Sequence, residues 1–299
     1  MSRSKNHHYL SQFYLRGFTK SGGTKENLCV YDKLQNKYFE SSPKHIASQK
    51  YFNRISHPEN PNIIEDELAK VEGVLSVSFR EIIEKKNYPN EKQFNHIVNF
   101  ITLAALRNPK IRSLFDDFYK QIADKLMMLT MASEERYLSQ CRQAGIKEED
   151  IIPYDKQKAF VEDKSRYTLE INQKVHIESE FKMLDNLNDI LLKRNWYLIV
   201  TNEEIGEFIT SDYPVSLISL VDTGPYGVGF GLKKTEVVFP ISKHLVFIGV
   251  FEEYENVDKT LFATKKLVES INARTVEFAN KQVYSTRKLS DILKKHLNF

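Results

Sequence analysis

The sequence predicts an α+β fold, and three observations predict it. Residues 61–195 carry long runs with helical periodicity, residues 196–299 carry short β-branched and aromatic runs separated by turn residues, and residues 1–60 hold a motif helix followed by a hairpin. The expected architecture is a mostly helical middle segment packed on a mainly antiparallel sheet. That sheet is drawn from the C-terminal third plus the N-terminal hairpin, in a single domain of 299 residues.

The stretch NHHYLSQFYLRGFT comes first. Tyr9, Leu10, Phe13, Tyr14 and Phe18 fall at helical spacing, and Gly17 stands where such a helix would stop, so His8 to Phe18 reads as a short helix. KSGGTKEN is a turn by its glycine pair, and LCVYDK and KYFESS read as two strands joined across Leu34–Asn36. Pro58, Asn60 and Pro61 break the chain again. Ile64, Leu68, Val71, Leu75, Phe79 and Ile82 then step by three or four residues, one apolar stripe of a helix flanked by Glu65 and Glu72. A second helix runs from about Glu91 to Arg107 and is apolar on most sides, which predicts burial, until Asn108-Pro109 disfavours continuation. Helical patterns at about 113–143 and 168–194 follow, separated by GIKEEDIIPYD. After Trp196 come the strand-like runs WYLIVT, EFITSD, EVVFPIS and HLVFIGV, then a helix near 260–279, the strand QVYS and a terminal helix KLSDILKKHL. The glycine-rich segment 221–231 reads as a mobile loop, without the spacing of a phosphate cradle.

Composition narrows the class. No apolar run is long enough to span a bilayer, and MSRSKNHH lacks the apolar region of a signal peptide, so no membrane partner is expected. Two distant cysteines, Cys29 and Cys141, argue for a reducing, cytoplasmic setting rather than a disulfide scaffold or a zinc-thiolate site. A net charge of +3 is too mild to announce a nucleic-acid binder by itself. RNP at 107–109 lacks the aromatics of an RNA-recognition signature, and His176 and His244 read as surface or satisfied core residues.

The order of motifs is more informative than any one of them. HHYLSQFYLRGF, the pair Glu65 and Glu72 at E-x6-E, LAALRNP, FITSDYPV, FPIS and INARTVEFA ahead of VYS together resemble a bacterial domain-of-unknown-function family, family 4238, over almost the whole chain. Ser11 stands where that family's first motif carries proline, and Tyr213 where its TSD-N-P carries asparagine. The resemblance implies that His7, His8, Glu65, Glu72, Arg107, Ser211 and Asp212 form a set.

Each member has a chemical reading and a plain one. An imidazole ligates metals or moves protons near neutrality. On a helix the adjacent His7 and His8 would point about 100° apart, so at most one serves a site, and His7 alternatively caps a helix or bonds a core carbonyl. Glu65 and Glu72 lie about 10 Å apart along a helix, so one meets a metal or substrate while the other pairs with arginine, or both are a solvated flank. Arg107, buried at a helix end, needs an anionic partner: a substrate oxyanion, or Glu72 or Asp212. Asp212 at a strand end is a candidate base or ligand, and Ser211 a candidate phosphate contact. No nucleophile elbow surrounds Ser211, and Asp212 alternatively caps the turn before Pro214.

The expected function is a hydrolase, specifically a phosphodiesterase or nuclease, with His7, His8, Glu72, Arg107 and Asp212 catalytic and Ser211 and Glu65 binding substrate. A divalent cation is the candidate cofactor and nucleic acid the expected partner. Bacterial antiviral defence or toxin action is the expected context, with self-association or a defence-system partner protein. The alternatives are a ligand-binding or sensor module, and a buried network whose role is structural. Convergence of these residues on an open cleft favours catalysis; mutual neutralisation in a closed interior disfavours it.

Overall fold

A computed structural model describes residues 5–224 and 227–292 of the chain. Two compact units divide it, Met1–Lys110 with Ile177–Phe299, and Ile111–His176. The helical stretch at 61–195 is shared between them.

The N-terminal motif departs from its helical reading. Asn6–His8 forms strand β1, and the helix α1 occupies only Gln12–Arg16. After the hairpin strands β2 (Leu28–Asp32) and β3 (Lys37–Ser41), strand β4 (Ser48–Lys50) returns antiparallel to β1, placing His7 opposite Gln49 and His8 opposite Ser48. Tyr9 donates its N–H to Ala47 O and Tyr51 donates to Lys5 O, so the ladder continues at both ends. Backbone pairing with a segment some forty residues on has overridden the local helical spacing. Side chains alternate across a strand, so His7 and His8 point to opposite faces.

Two helices of the larger unit follow the reading closely. Helix α2 (Ile63–Lys85) buries Leu68, Leu75, Phe79 and Ile82, while Val71 is exposed. Helix α3 (Glu91–Leu106) begins with a capping box: Asn90 accepts from the Gln93 N–H and Gln93 Oε1 from the Asn90 N–H. As its sequence predicts, α3 is buried on most sides.

Pro109, read as a break, is the first residue of helix α4 (Pro109–Thr130), where its missing N–H costs nothing. The smaller unit continues with α5 (Glu134–Gln143) and α6 (Tyr154–Glu162) around a small core of Met131, Tyr137, Cys141 and Val161. The helix expected over 113–143 is thus two, and the next, α7 (Gln173–Leu192), leads back into the larger unit.

Strands β5 (Asn195–Val200), β6 (Thr210–Ser211), β7 (Ser216–Ser219), β8 (Thr235–Ser242), β9 (Leu245–Val250) and β10 (Thr260–Phe262) follow, then α8 (Lys265–Phe278), β11 (Gln282–Ser285) and α9 (Leu289–Ile292). One sheet has the order β10-β5-β9-β8-β7, antiparallel except for β10 on β5. The other runs β3-β2-β11-β6 and is antiparallel throughout, so the N-terminal hairpin does join a C-terminal strand. The fold is α+β, with mainly antiparallel sheets. The loop read at 221–231 includes residues 225–226, outside the described residues, as does most of the terminal helix read beyond Ile292.

The aromatic residues of the opening motif are the core itself. Leu10, Tyr14, Leu15 and Phe18 are buried with Phe79 of α2, Phe100 of α3 and Phe239 of β8. Tyr14 stacks on Phe239 with ring centres 5.2 Å apart. Its hydroxyl lies 2.6 Å from Thr210 Oγ1 and donates to Pro240 O at 2.9 Å. Pro240 cannot donate to a ladder, and the β8–β9 register shifts there between Pro240 and Ser242. Tyr14 therefore pegs α1 to both sheets. Fully burying such a ring contributes about 1.5–3 kcal/mol from apolar area alone.

Candidate active site

The strand conformation of β1 decides which histidine faces outward. His7 is fully buried, and its Nδ1 accepts the Asn53 N–H at 3.0 Å. That bond requires an unprotonated Nδ1, so the ring is held as part of the fold. Tyr51, at a left-handed φ of 58°, makes the turn that leads to Asn53. Asn53 also donates its side-chain amide to Glu65 Oε2 at 2.6 Å, and that oxygen lies 4.0 Å from His7 Nδ1.

His8 stands on the other face. It lines an open cleft of about 370 Å³ together with Gln12, Phe13 and Arg16 of α1 and Glu65, Glu72 and Ser76 of α2. The helix supplies its share by spacing: Glu65, Ala69, Glu72 and Ser76 are successive i, i+4, i+7 and i+11 positions, one stripe beside the buried one. Gly73 also lines the cleft, and nothing lies within 4 Å of where its Cβ would stand. At the far end of α1, Gly17 lets the backbone approach the β8–β9 turn, where a Cβ would sit 3.1 Å from Ile241 O.

The electrostatics of the cleft push its acid and base toward one another. Burial lowers the His8 pKa from its ordinary 6.5, opposed by the Pro43 and Lys44 carbonyls and the Glu65 charge. Its Nε2 is shielded from bulk water and has no hydrogen-bond partner among the described residues. Burial raises the Glu72 carboxyl above its ordinary 4.5, and the neighbouring Glu65 adds to this, while a hydrogen bond from Ser11 and the Arg107 charge oppose it. A carboxyl made more basic and an imidazole made more acidic are the shifts that suit a proton-transfer pair.

Arginines occupy two positions. Arg107 caps α3, buried behind the cleft, where its charge acts on Glu72. Arg16 lines the cleft, and its Nε is buried without a partner. Its side chain has no carboxylate or hydrogen-bond partner among the described residues. A half-buried guanidinium with uncommitted donors has the chemistry to hold an anion. Arg16 was not in the set read from sequence, yet it closes the YLR triplet of the opening motif, one turn after Gln12.

Ser211 and Asp212 are not on the cleft wall. Both are buried in a knot that ties β6 to α8 and β11. Asp212 Oδ1 and Oδ2 accept the N–H groups of Asn280 and Lys281 at 2.9 and 2.8 Å, and Ser211 Oγ accepts the Tyr213 N–H at 3.2 Å. Burial raises the Asp212 pKa, opposed by these donors and by Lys33. Lys33 donates to Val276 O and Ala279 O, and Lys110 to Phe278 O, satisfying carbonyls at the C-terminus of α8. Asn272 of α8 completes the knot, accepting from Ile209 N and donating to Glu207 O. FITSDYP and INARTVEFA are thus two halves of one hydrogen-bonded clamp.

For a metal, ligand geometry differs between places. Among the described residues, one group of three places its candidate ligand atoms within 4.8 Å of one another: Glu203, Glu207 and His244. Glu207 already pairs with Lys243 at 3.3 Å and accepts from Thr286 Oγ1. The lysine thus meets its charge. His8, Glu65 and Glu72 do not form such a group.

Fold and cleft together define an α+β protein in which an imidazole, two carboxylates and an unpaired arginine line one opening. The chain belongs to a family described as "Protein of unknown function (DUF4238)", which it matches over residues 6–288. No curated protein and no solved structure matches it. No helix among the described residues is long and apolar enough to cross a membrane.

Proposed function

We propose that the protein is a phosphodiester hydrolase acting on nucleic acid, with its reaction centre in the His8–Glu65–Glu72 cleft. The observation that carries this reading is the presence of Arg16, unpaired, in the same cleft as the acid–base pair. A water attacks phosphorus as Glu72 takes its proton. The bond to the leaving oxygen breaks, and His8 supplies the proton that oxygen needs. Arg16 meets the charge that grows on the non-bridging oxygens. Glu65, held by Asn53, stabilises the charged imidazolium. His7, Arg107 and Asp212 support this from behind: His7 fixes the Asn53 turn, Arg107 biases Glu72, and Asp212 clamps the second sheet.

The burial of those three, each with protein groups around it, favours the second reading, a binding module whose polar set holds the fold. One experiment separates the two. Purified protein is incubated with labelled RNA, single-stranded DNA and duplex DNA, with EDTA or with Mg²⁺ or Mn²⁺, beside folded His8→Ala and Glu72→Gln variants. Cleavage lost in both variants is the expected result. Absence of cleavage by the parent protein under every condition would sink the hydrolase and leave the binding module.

A further inference from the structure

The cleft does not end at Ser76. A second compartment of about 430 Å³ adjoins it and shares Phe13, Arg16 and Ser76 as common walls. On its far side α2 supplies Arg80 and Ile83, the next positions of the stripe that began at Glu65, and the loop after α1 supplies Thr24. From Glu65 to Ile83 this lined face spans about 27 Å of helix. Two compartments of ligand size, joined at an unpaired guanidinium, make one groove rather than two pockets.

Charge is distributed along it with a direction. Glu65 and Glu72 lie at one end and Arg80 at the other, with Arg16 at the join. Neither Arg16 nor Arg80 has a carboxylate partner among the described residues. Glu84 also lines the second compartment, one turn beyond Arg80, and the nearby Glu26 is committed to Ser21, whose N–H and hydroxyl it accepts. Between the two arginines the compartment is lined by Phe13 and Phe79 together with Ser76. Cations at intervals with an aromatic wall between them suit a chain of phosphates carrying flat, apolar-faced groups.

We infer that the second compartment binds the flanking nucleotide of a single-stranded nucleic acid, Arg16 and Arg80 holding successive phosphates while Phe13 faces the base between them. The inference rests on the proposed hydrolase for the position of the scissile bond, and it makes the substrate a polymer rather than a mononucleotide. A duplex has its bases stacked inside and cannot seat one in a compartment walled by two helices.

The test measures binding and cleavage separately on the full chain. A fluorescent single-stranded oligonucleotide is titrated by anisotropy in EDTA at several salt concentrations, with the parent protein, Arg80→Ala, Arg80→Glu and Glu84→Gln. Folding of each variant is checked by thermal melting. The parent protein is expected to bind. Arg80→Ala should weaken binding about tenfold, the loss of one charged hydrogen bond, and lower the salt slope by about 0.7, one single-strand phosphate contact. Arg80→Glu should weaken it further, and Glu84→Gln, which removes the opposing charge, should tighten it. No binding by the parent, affinity indifferent to Arg80→Glu, or equal affinity for duplex would overturn the inference. So would equal competition by inorganic polyphosphate, which has no base to seat. Cleavage of a dinucleotide and of the oligonucleotide is followed in parallel. Arg80→Glu should slow only the longer one. Binding through Arg80 without cleavage of either keeps the groove and removes the hydrolase; cleavage of both, indifferent to Arg80, does the reverse.

Discussion

At the scale of single residues the two adjacent histidines have opposite surroundings, one buried and one on the cleft, and substitution should separate them. His7→Ala strips the Asn53 N–H of its acceptor in a dry interior, so urea unfolding should show a loss of about 1–3 kcal/mol. His8→Ala should leave the unfolding midpoint closer to the parent's and lower cleavage by about 10²–10⁴-fold. The same pair of residues predicts a pH profile. In the proposed hydrolase Glu72 is the base and works ionised, and burial raises its pKa from 4.5, so activity should rise as pH climbs through that raised value. His8 in the proposed role of acid works protonated, and burial lowers its pKa from 6.5, so activity should fall as pH climbs through that lowered value. A bell centred in the mildly acidic range is the expected outcome, read from single-turnover rates. A rate that climbs steadily through neutrality would remove His8 from the role of acid. The sequence brought both histidines into view but could not choose between them. A helical reading sets them about 100° apart, whereas the β1–β4 pairing, which no local pattern announces, puts one in and one out.

Among the elements, α2 does the most. It turns one stripe to the core and the next to the cleft, and at Gly73, which lines that cleft, a Cβ would stand in open space. Gly73→Ala should therefore raise stability by about 0.5–1 kcal/mol, as a mid-helix glycine replacement does, while slowing cleavage; gains in both would show that the opening is unused. In the clamp around α8, Asp212→Asn keeps one acceptor oxygen and loses the other, leaving either the Asn280 or the Lys281 N–H unpaired. Calorimetry should register about 1–3 kcal/mol of destabilisation, with the cleavage rate of the folded fraction unchanged. In the larger sheet, Gly249→Ala would drive a Cβ to 2.8 Å from the Trp196 ring, itself stacked on Phe247 at 5.1 Å. Overpacking of that kind costs about 1–3 kcal/mol. Long elements such as α2 and α3 were legible because many apolar residues repeat the same period. The strand β6 was legible within EFITSD, whereas the three-residue strand β4 was not, since Ser48–Lys50 owe their conformation to β1, not to propensity.

Over the whole molecule, segments far apart in sequence meet, and this is what the sequence conceals. β2 pairs with β11 across some 250 residues, and Tyr14 bonds Thr210 and Pro240. The α+β class needs only the segregation of helical and strand-like patterns, so it is readable. The cleft is partly readable, because His8, Glu65 and Glu72 belong to motifs in one stretch of chain. Arg16 and Arg80 carry no local signal, for their meaning depends on the absence of partners, a property of space and not of sequence. Asp212 joined the candidate set through its motif, yet it serves the clamp around α8. In the proposed hydrolase, proton transfer in the cleft breaks a phosphodiester bond. Its most direct test is the single-turnover cleavage rate of a labelled single-stranded oligonucleotide by the parent protein, Glu72→Gln and Asp212→Asn, each corrected for its folded fraction. Cleavage by the parent and Asp212→Asn at similar rates is expected, with a loss of at least about 10²-fold in Glu72→Gln. Equal rates in the parent and Glu72→Gln would contradict the proposal.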